Sequence, residues 1–396
     1  MNTVCVKIIG INSCILSDIG KHKRSSPRIE SLRSIDYEEK FDYTTLAFDV
    51  FMSDDKLVFS GPPAYGLEEF FNKENFYLNG QSICHIPEIH LLDRTQRNWL
   101  WGDNDVQQFK WKYEDVEFNI SVNHHCHDLF RGKKVLFTLS KNNKFEWISD
   151  WIRFYKIIHD IDAVLFYDNN SDNYTLEELK EYLIKQNLGV DVVLVPWNFK
   201  YGPQGGMITS TKSAPWDSDF CQYGMMEHAK ERFLKYSFGV INVDIDELIV
   251  GKNDESIFCQ LNKTPAIHIH GKWIESVPLD KSAPVRFNNF FFYDRKNYKS
   301  DYKWCVSPQK IEYDAQWKVH TIKTKKIKIT KNFYYLHYKA INYNWKIKRA
   351  DPIDFDSKIH RLDESLYEIV SKVFPGINKP ELKYNLTLRE KLKKLF

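Results

Sequence analysis

Val240-Ile241-Asn242-Val243-Asp244-Ile245-Asp246-Glu247-Leu248-Ile249-Val250 decides how the rest of this chain is read. Aliphatic and β-branched residues dominate it, the pattern of a strand buried on both faces. Three acids interrupt the run. Positions two apart in a strand face the same way, so Asp244 and Asp246 are expected to project together from its end. Like charges that close repel, and at least one resists ionising unless a cation sits between them. Clustered acids with no adjacent Lys or Arg describe a hard-cation site. The plainer reading is that they end a strand and cap the following turn.

The stretch upstream gives this strand its setting. Lys134 to Ser140 reads as a strand, followed by the polar turn Lys141-Asn142-Asn143. A helix follows with Trp147, Trp151, Phe154 and Ile158 on one face. Asp162 to Tyr167 is a second strand ending in the polar turn Asp168-Asn169-Asn170-Ser171-Asp172. Thr175 and Glu178 have the spacing of a capping box, and Val190 to Val195, closed by Pro196, is a third strand. Such alternation predicts right-handed βαβ units and an α/β fold with a mostly parallel sheet. Ligands of these sheets bind outside the carboxyl ends of the strands. Three polar turns should therefore converge: Ser140–Asn143, Asp168–Asp172 and Asp244–Glu247. Asp168 and Asn169 could read a base or ribose there, or simply form an Asx-turn. Tyr201 to Gly206 lacks the spacing of a phosphate-cradling loop and reads as a mobile loop beside the site. A helix from about Ser218 to Lys235 leads into the Asp244 strand.

A chain of 396 residues suggests two domains or one enlarged domain. Its net charge of +3 gives no global nucleic-acid signature. Seven scattered cysteines without a Cys-x-x-Cys pair suggest reduced thiols and a cytosolic setting. No apolar run approaches the ~18 residues of a membrane span. Val4 to Leu16, interrupted by Lys7, reads as a strand rather than a signal peptide.

Residues 1–132 read as a β-rich N-terminal domain, 133–348 as the catalytic domain and 349–396 as a helical tail. His124-His125-Cys126-His127-Asp128 looks like a metal site but lacks a further ligand pair at useful spacing, and reads as a turn or strand edge. Ala266 to His270 is a strand whose two imidazoles are expected to be structural. His320 and His337, each closing an apolar run, are candidates to complete a metal shell. Lys323 to Lys331 reads as an edge strand with its charges in water. A helix is expected from about Asp356 to Val373. The basic, amphipathic turn Leu388 to Phe396 fits peripheral contact with anionic lipid at the inner membrane face, or packing on the protein body.

With these residues assembled, Lys134 to Lys348 resembles the GT-A glycosyltransferases, and more narrowly the family-2-like and family-92-like enzymes. Asn143, Asp150-Trp151 and Asp168-Asn169-Asn170-Ser171 are similar to the opening motifs. Gln222 and Asp244-Ile245-Asp246-Glu247-Leu248 resemble the Asp-x-Asp-Glu-Phe element. Val319-His320 and His337-Tyr338 resemble the closing histidine motifs. Lys144, Tyr155 and His159 depart from the family's usual residues.

The resemblance implies that Asp244 and Asp246 hold Mn²⁺ or Mg²⁺ against the diphosphate of a nucleotide sugar, a UDP-sugar above all, with His320 or His337 completing the shell. Ser140, Asn143, Asp168, Asn169, Ser171 and Asp244 would contact that donor. Negative charge builds on the departing phosphate, and a divalent ion stabilises it. An inverting enzyme also needs a carboxylate to take the proton of the acceptor, a glycan hydroxyl; Glu275 is the candidate and Asp280 the reserve. Trp197, Trp216 and Trp273 could stack on sugar faces, though core packing is the usual fate of Trp. Two other classes remain open at this stage. A sugar-phosphate nucleotidyltransferase would grip a triphosphate, for which Lys141 and Lys144 are the nearby cations. A non-catalytic carbohydrate-binding protein would use the acids to hold Ca²⁺.

Overall fold

The computed structural model describes residues 4–102, 105–207, 211–252, 255–343 and 348–375. A nine-stranded sheet organises it. Its strands, in chain order, are β1 (Val6–Ile8), β2 (Lys134–Ser140), β3 (Ala163–Asp168), β4 (Asp191–Pro196), β5 (Gly239–Asn242), β6 (Glu247–Gly251), β7 (Ala266–Ile274), β8 (Lys299–Val306) and β9 (Ile327–Tyr338). They lie in the order β1-β4-β3-β2-β5-β8-β7-β9-β6. The first five are mutually parallel. β8 runs antiparallel to both β5 and β7, and β6 runs antiparallel to β9.

The inner parallel strands β2 to β5 are buried on both faces because apolar residues dominate them. All six residues of β3 are buried. Alternate residues feed opposite sides of the sheet, as the pleat requires. Leu136, Val164 and Phe166 enter one core, against Trp147, Trp151 and Phe154 of helix α1 (Phe145–His159) and Leu179 and Leu183 of helix α2 (Leu176–Gln186). Val135, Phe137, Leu165 and Tyr167 enter the other, against Phe220, Met225 and Met226 of helix α3 (Phe220–Ala229). The capping box that starts α2 is formed as expected from Thr175 and Glu178. One π-helical turn, Lys230–Leu234, extends α3.

The Val240–Val250 run is not one strand. β5 ends at Asn242, the chain turns at Ile245-Asp246, and β6 begins at Glu247 on the far edge of the sheet. The acids therefore lie in a connection between two sheet positions. Asp244 N–H donates to Glu247 Oε2 at 2.8 Å, and Glu247 N–H donates to Asp244 O at 3.1 Å, which closes the turn.

The front half is β-rich, with a five-stranded and a four-stranded sheet around their own core. It is not separate from the large sheet. β1 forms the edge beside β4, and Tyr37, Phe41 and Phe48 belong to the core beneath α3. Buried charges also cross the seam. Asp49 meets Arg232 at 2.6 Å and His228 at 3.0 Å, and Arg97 meets Glu227 at 2.7 Å.

Three further expectations shift. Tyr201–Gly206 is pinned rather than loose: Gly202 has φ 98°, a Cβ there would lie 2.3 Å from Ser218 O, and Arg28 donates to Gln204 O at 3.1 Å. The tail helix α4 spans only Glu364–Val373, capped by Asp363 accepting from Leu366 N–H, because His360–Leu362 pairs as a strand with Phe292–Asp294. The lysine-rich strand begins at Ile327, and its first residues pair only with β7. Leu388 to Phe396 lies outside the described residues.

Candidate active site

The carboxyl ends of the parallel strands do come together. Ser140, Asp168 and Pro196 stand in register across β2, β3 and β4, with Asn242 two strand positions from the acid turn. The first two polar turns, however, spend their side chains on themselves. Asp168 accepts from Ser171 N–H at 2.9 Å, Ser171 Oγ at 2.6 Å and Tyr174 OH at 2.9 Å. Asn169 donates its side-chain amide to Trp197 O and Phe199 O at 2.8 and 2.9 Å. Asn143 donates to Ser140 Oγ at 2.9 Å. Asp168 closes an Asx-type turn through Ser171 N–H, whereas Asn169 reaches across to the chain that follows β4; both are buried.

The acid turn is different. Asp246, Glu247 and His337 each offer a ligand atom within 4.8 Å of the others, and both acids are buried. His337 reaches them because β9 pairs with β6, setting His337 opposite Glu247. Its Nε2 lies 3.2 Å from Asp246 Oδ2, and its Nδ1 lies 3.6 Å from Glu247 Oε1 and 3.2 Å from Ser300 Oγ. Trp273 stacks on the imidazole with centroids 3.8 Å apart, fixing the ring plane.

Two cations that the sequence reading missed complete the cluster. Lys303, from the buried half of β8, donates to Asp244 Oδ2 at 2.6 Å and lies 3.2 Å from Glu247 Oε2. Arg349 donates to Asp246 Oδ2 at 2.8 Å and lies over Trp273. The only sequence signal was a lone Lys inside the run Tyr302-Lys303-Trp304-Cys305-Val306, where a strand turns from polar to apolar.

These charges set the protonation of the acids. Burial alone would raise the Asp246 carboxyl, but His337, Arg349 and Lys303 hold it below its usual value. Burial pushes the Glu247 carboxyl up to about 7, and neighbouring Asp244 adds to that against the pull of Lys303. Burial works against the Lys303 charge, yet Asp244 and Glu247 raise its affinity for the proton.

Other expected residues fall elsewhere. Asp244 is half-exposed and committed to Lys303, and it lies outside the compact triad. His320 is exposed, with Nδ1 2.9 Å from Tyr302 O, and is also outside it. Glu275 follows β7 and is buried against Lys339, with both oxygens accepting at 2.6 and 2.8 Å. Asp280 is exposed and caps its own turn through Ser282 N–H at 2.8 Å. Trp197 is core, Trp216 is exposed, and only Trp273 borders the triad.

Residues 137–371, more than half of the chain, match glycosyltransferase family 92. The chain belongs to that family. The family-92 region holds the whole acid cluster with Lys303, His337 and Arg349, and the parallel-rich sheet is of the GT-A type. No curated protein matches the sequence. Among solved structures, S. aureus TarS 1-349 in complex with UDP is 12% identical over 52% of this chain and 60% of that one, with a TM-score of 0.29. Core-mannan synthase A from Aspergillus fumigatus, in a Mn/GDP form, is 10% identical over 48% and 57%, with a TM-score of 0.25. The family-92 chain thus spans about 60% of the TarS chain it matches. No helix among its described residues is long and apolar enough to cross a membrane.

Proposed function

We propose that this chain transfers a sugar from a nucleotide sugar, UDP-linked by the resemblance of its motifs, to a hydroxyl of a glycan acceptor with inversion. The observation that carries the reading is the Asp246–Glu247–His337 triad, two buried acids and a partly buried imidazole, in a family-92 chain. Two carboxylates and an imidazole suit Mn²⁺ or Mg²⁺, and a buried carboxyl raised to about 7 is the group whose ionisation such a charge would favour. The ion, when bound, would act as a Lewis acid toward the leaving diphosphate.

The chain's own groups have separate tasks. Asp246, Glu247 and His337 hold the charge centre, with Asp244 contacting the donor from the rim. Lys303 keeps Asp244 and Glu247 oriented, and Arg349 adds positive charge beside the position of the leaving phosphates. Trp273 fixes His337 and offers an apolar face. Glu275 is the base that takes the acceptor's proton; Lys339 donates to both of its oxygens and fixes its orientation, and Asp280 is the reserve. Ser140, Asn143, Asp168, Asn169 and Ser171 act by shaping the donor edge. In this reading residues 133–348 do the chemistry, with Arg349 at their border reaching Asp246.

The test is turnover of a panel of nucleotide sugars by the full chain. Asp246→Asn should abolish release of the nucleoside diphosphate while leaving the fold cooperative. Glu275→Gln should lower kcat by about 10²–10⁴-fold with little change in donor KM. Full turnover by Asp246→Asn would remove the proposal.

A further inference from the structure

His125 and His127 meet Asp54 at the seam between the front half and the large sheet, away from the acid turn. Their ligand atoms lie within 4.8 Å of one another. Asp54 comes from the tight turn between strands Phe51–Ser53 and Lys56–Val58, at φ 53°. The sequence around His124–Asp128 lacks a further ligand; the fold supplies one from a distant hairpin.

His127 is completely buried, and its Nε2 lies 2.8 Å from the carbonyl of Glu231. A carbonyl only accepts, so Nε2 carries the proton and Nδ1 presents a bare lone pair. That Nδ1 is buried with no hydrogen-bond partner, and so is Nδ1 of His125. A buried polar atom left without a partner is destabilising, so two side by side call for an occupant.

We propose that Asp54, His125 and His127 form a second divalent-metal site, of the zinc class, that braces the seam. Imidazole nitrogens with one carboxylate suit Zn²⁺ and its neighbours. The Glu231 carbonyl does for His127 what outer hydrogen bonds do for metal-bound histidines generally: it fixes tautomer and ring orientation. Asp54 now pairs with Lys235, whose ammonium holds the place of a cation beside that carboxylate. The two rings are stacked, 4.1 Å apart and 14° from parallel. A shared ion must lie in both ring planes, so the half-buried His125 turns when it binds. The ion then ties the Asp54 hairpin to the π-helical turn through His127 and Glu231.

The experiment titrates metal-free full-length protein with Zn²⁺ by calorimetry and with Co²⁺ by visible absorption. Wild type, His125→Ala, Asp54→Asn and His337→Ala are compared. The proposal expects a Zn²⁺ event that weakens at least about tenfold in His125→Ala and Asp54→Asn and persists in His337→Ala. It also expects a Co²⁺ ligand-field band that disappears in His125→Ala. Equal binding in wild type and His125→Ala, loss in His337→Ala alone, or no binding by wild type would overturn it. His125 and Asp54 are both partly exposed; should one variant fail to fold, the other carries the comparison.

Discussion

Lys303 is the residue on which the charge balance of the acid turn depends. Its buried ammonium serves Asp244 and Glu247 together. Removing one partner of a buried ion pair leaves an uncompensated charge and costs about 3–5 kcal/mol. Lys303→Met is therefore expected to lose that much stability in urea unfolding near neutral pH; a loss within about 0.5 kcal/mol, typical of surface changes, would contradict the assignment. Glu247 gives a pH signature. Its carboxyl sits at about 7 when folded against 4.5 as the reference value. Across that interval the folded chain keeps a proton the unfolded chain has released, so stability falls as pH rises from about 4.5 to about 7. In metal-free protein Glu247→Gln should flatten this slope, and an unchanged slope would place the titration elsewhere. The acids themselves were legible in the sequence. Lys303 and Arg349 were not, because they stand 59 and 103 residues from the carboxylates they meet, and only sheet pairing brings them there.

At the scale of elements, β2, α1, β3, α2 and β4 were legible because each carries a complete local signal: an apolar strand, an apolar helical stripe, a capping box. The break in the Val240–Val250 run is invisible to periodicity for a physical reason. Val243 and Ile245 are buried as deeply as strand residues, but by packing in the core beneath α1 rather than by pairing in the sheet. β6 also depends on α1 in a way no periodicity shows. Tyr155 OH accepts from Ile249 N–H at 2.9 Å and donates to Glu247 O at 3.1 Å, and His159 Nε2 donates to Ile249 O at 2.9 Å. These side chains finish the hydrogen bonding of an edge strand that no further strand covers. Tyr155→Phe leaves the Ile249 N–H buried and unpaired, with an expected cost of about 1–3 kcal/mol. Because β6 begins at Glu247, the same variant should also lower turnover. A variant with wild-type stability and turnover would show that the bridge is incidental.

Across the whole molecule, the front half packs directly on the large sheet. β1 edges the large sheet, Phe48 packs on Trp197 with centroids 5.1 Å apart, and Asp49 pairs with Arg232 and accepts a hydrogen bond from His228. Residues 133–396 alone would expose that core and strip Arg232 of its carboxylate and of the Gly10 and His124 carbonyls. They are expected to lack a cooperative thermal transition, whereas the full chain melts in one; a cooperative melt of the fragment would establish an independent domain. The sequence boundary near Lys133 marks a change of composition, not a gap in packing.

The most direct test of the central claim is a thermal-shift panel of nucleotide sugars with and without Mn²⁺, run on wild type and Asp246→Asn. Ligands that bind the folded form raise its melting temperature with affinity. Wild type should show a UDP-sugar shift that needs the ion, vanishes with chelator and is absent in Asp246→Asn. A UDP-sugar shift of equal size with chelator and in Asp246→Asn would contradict it.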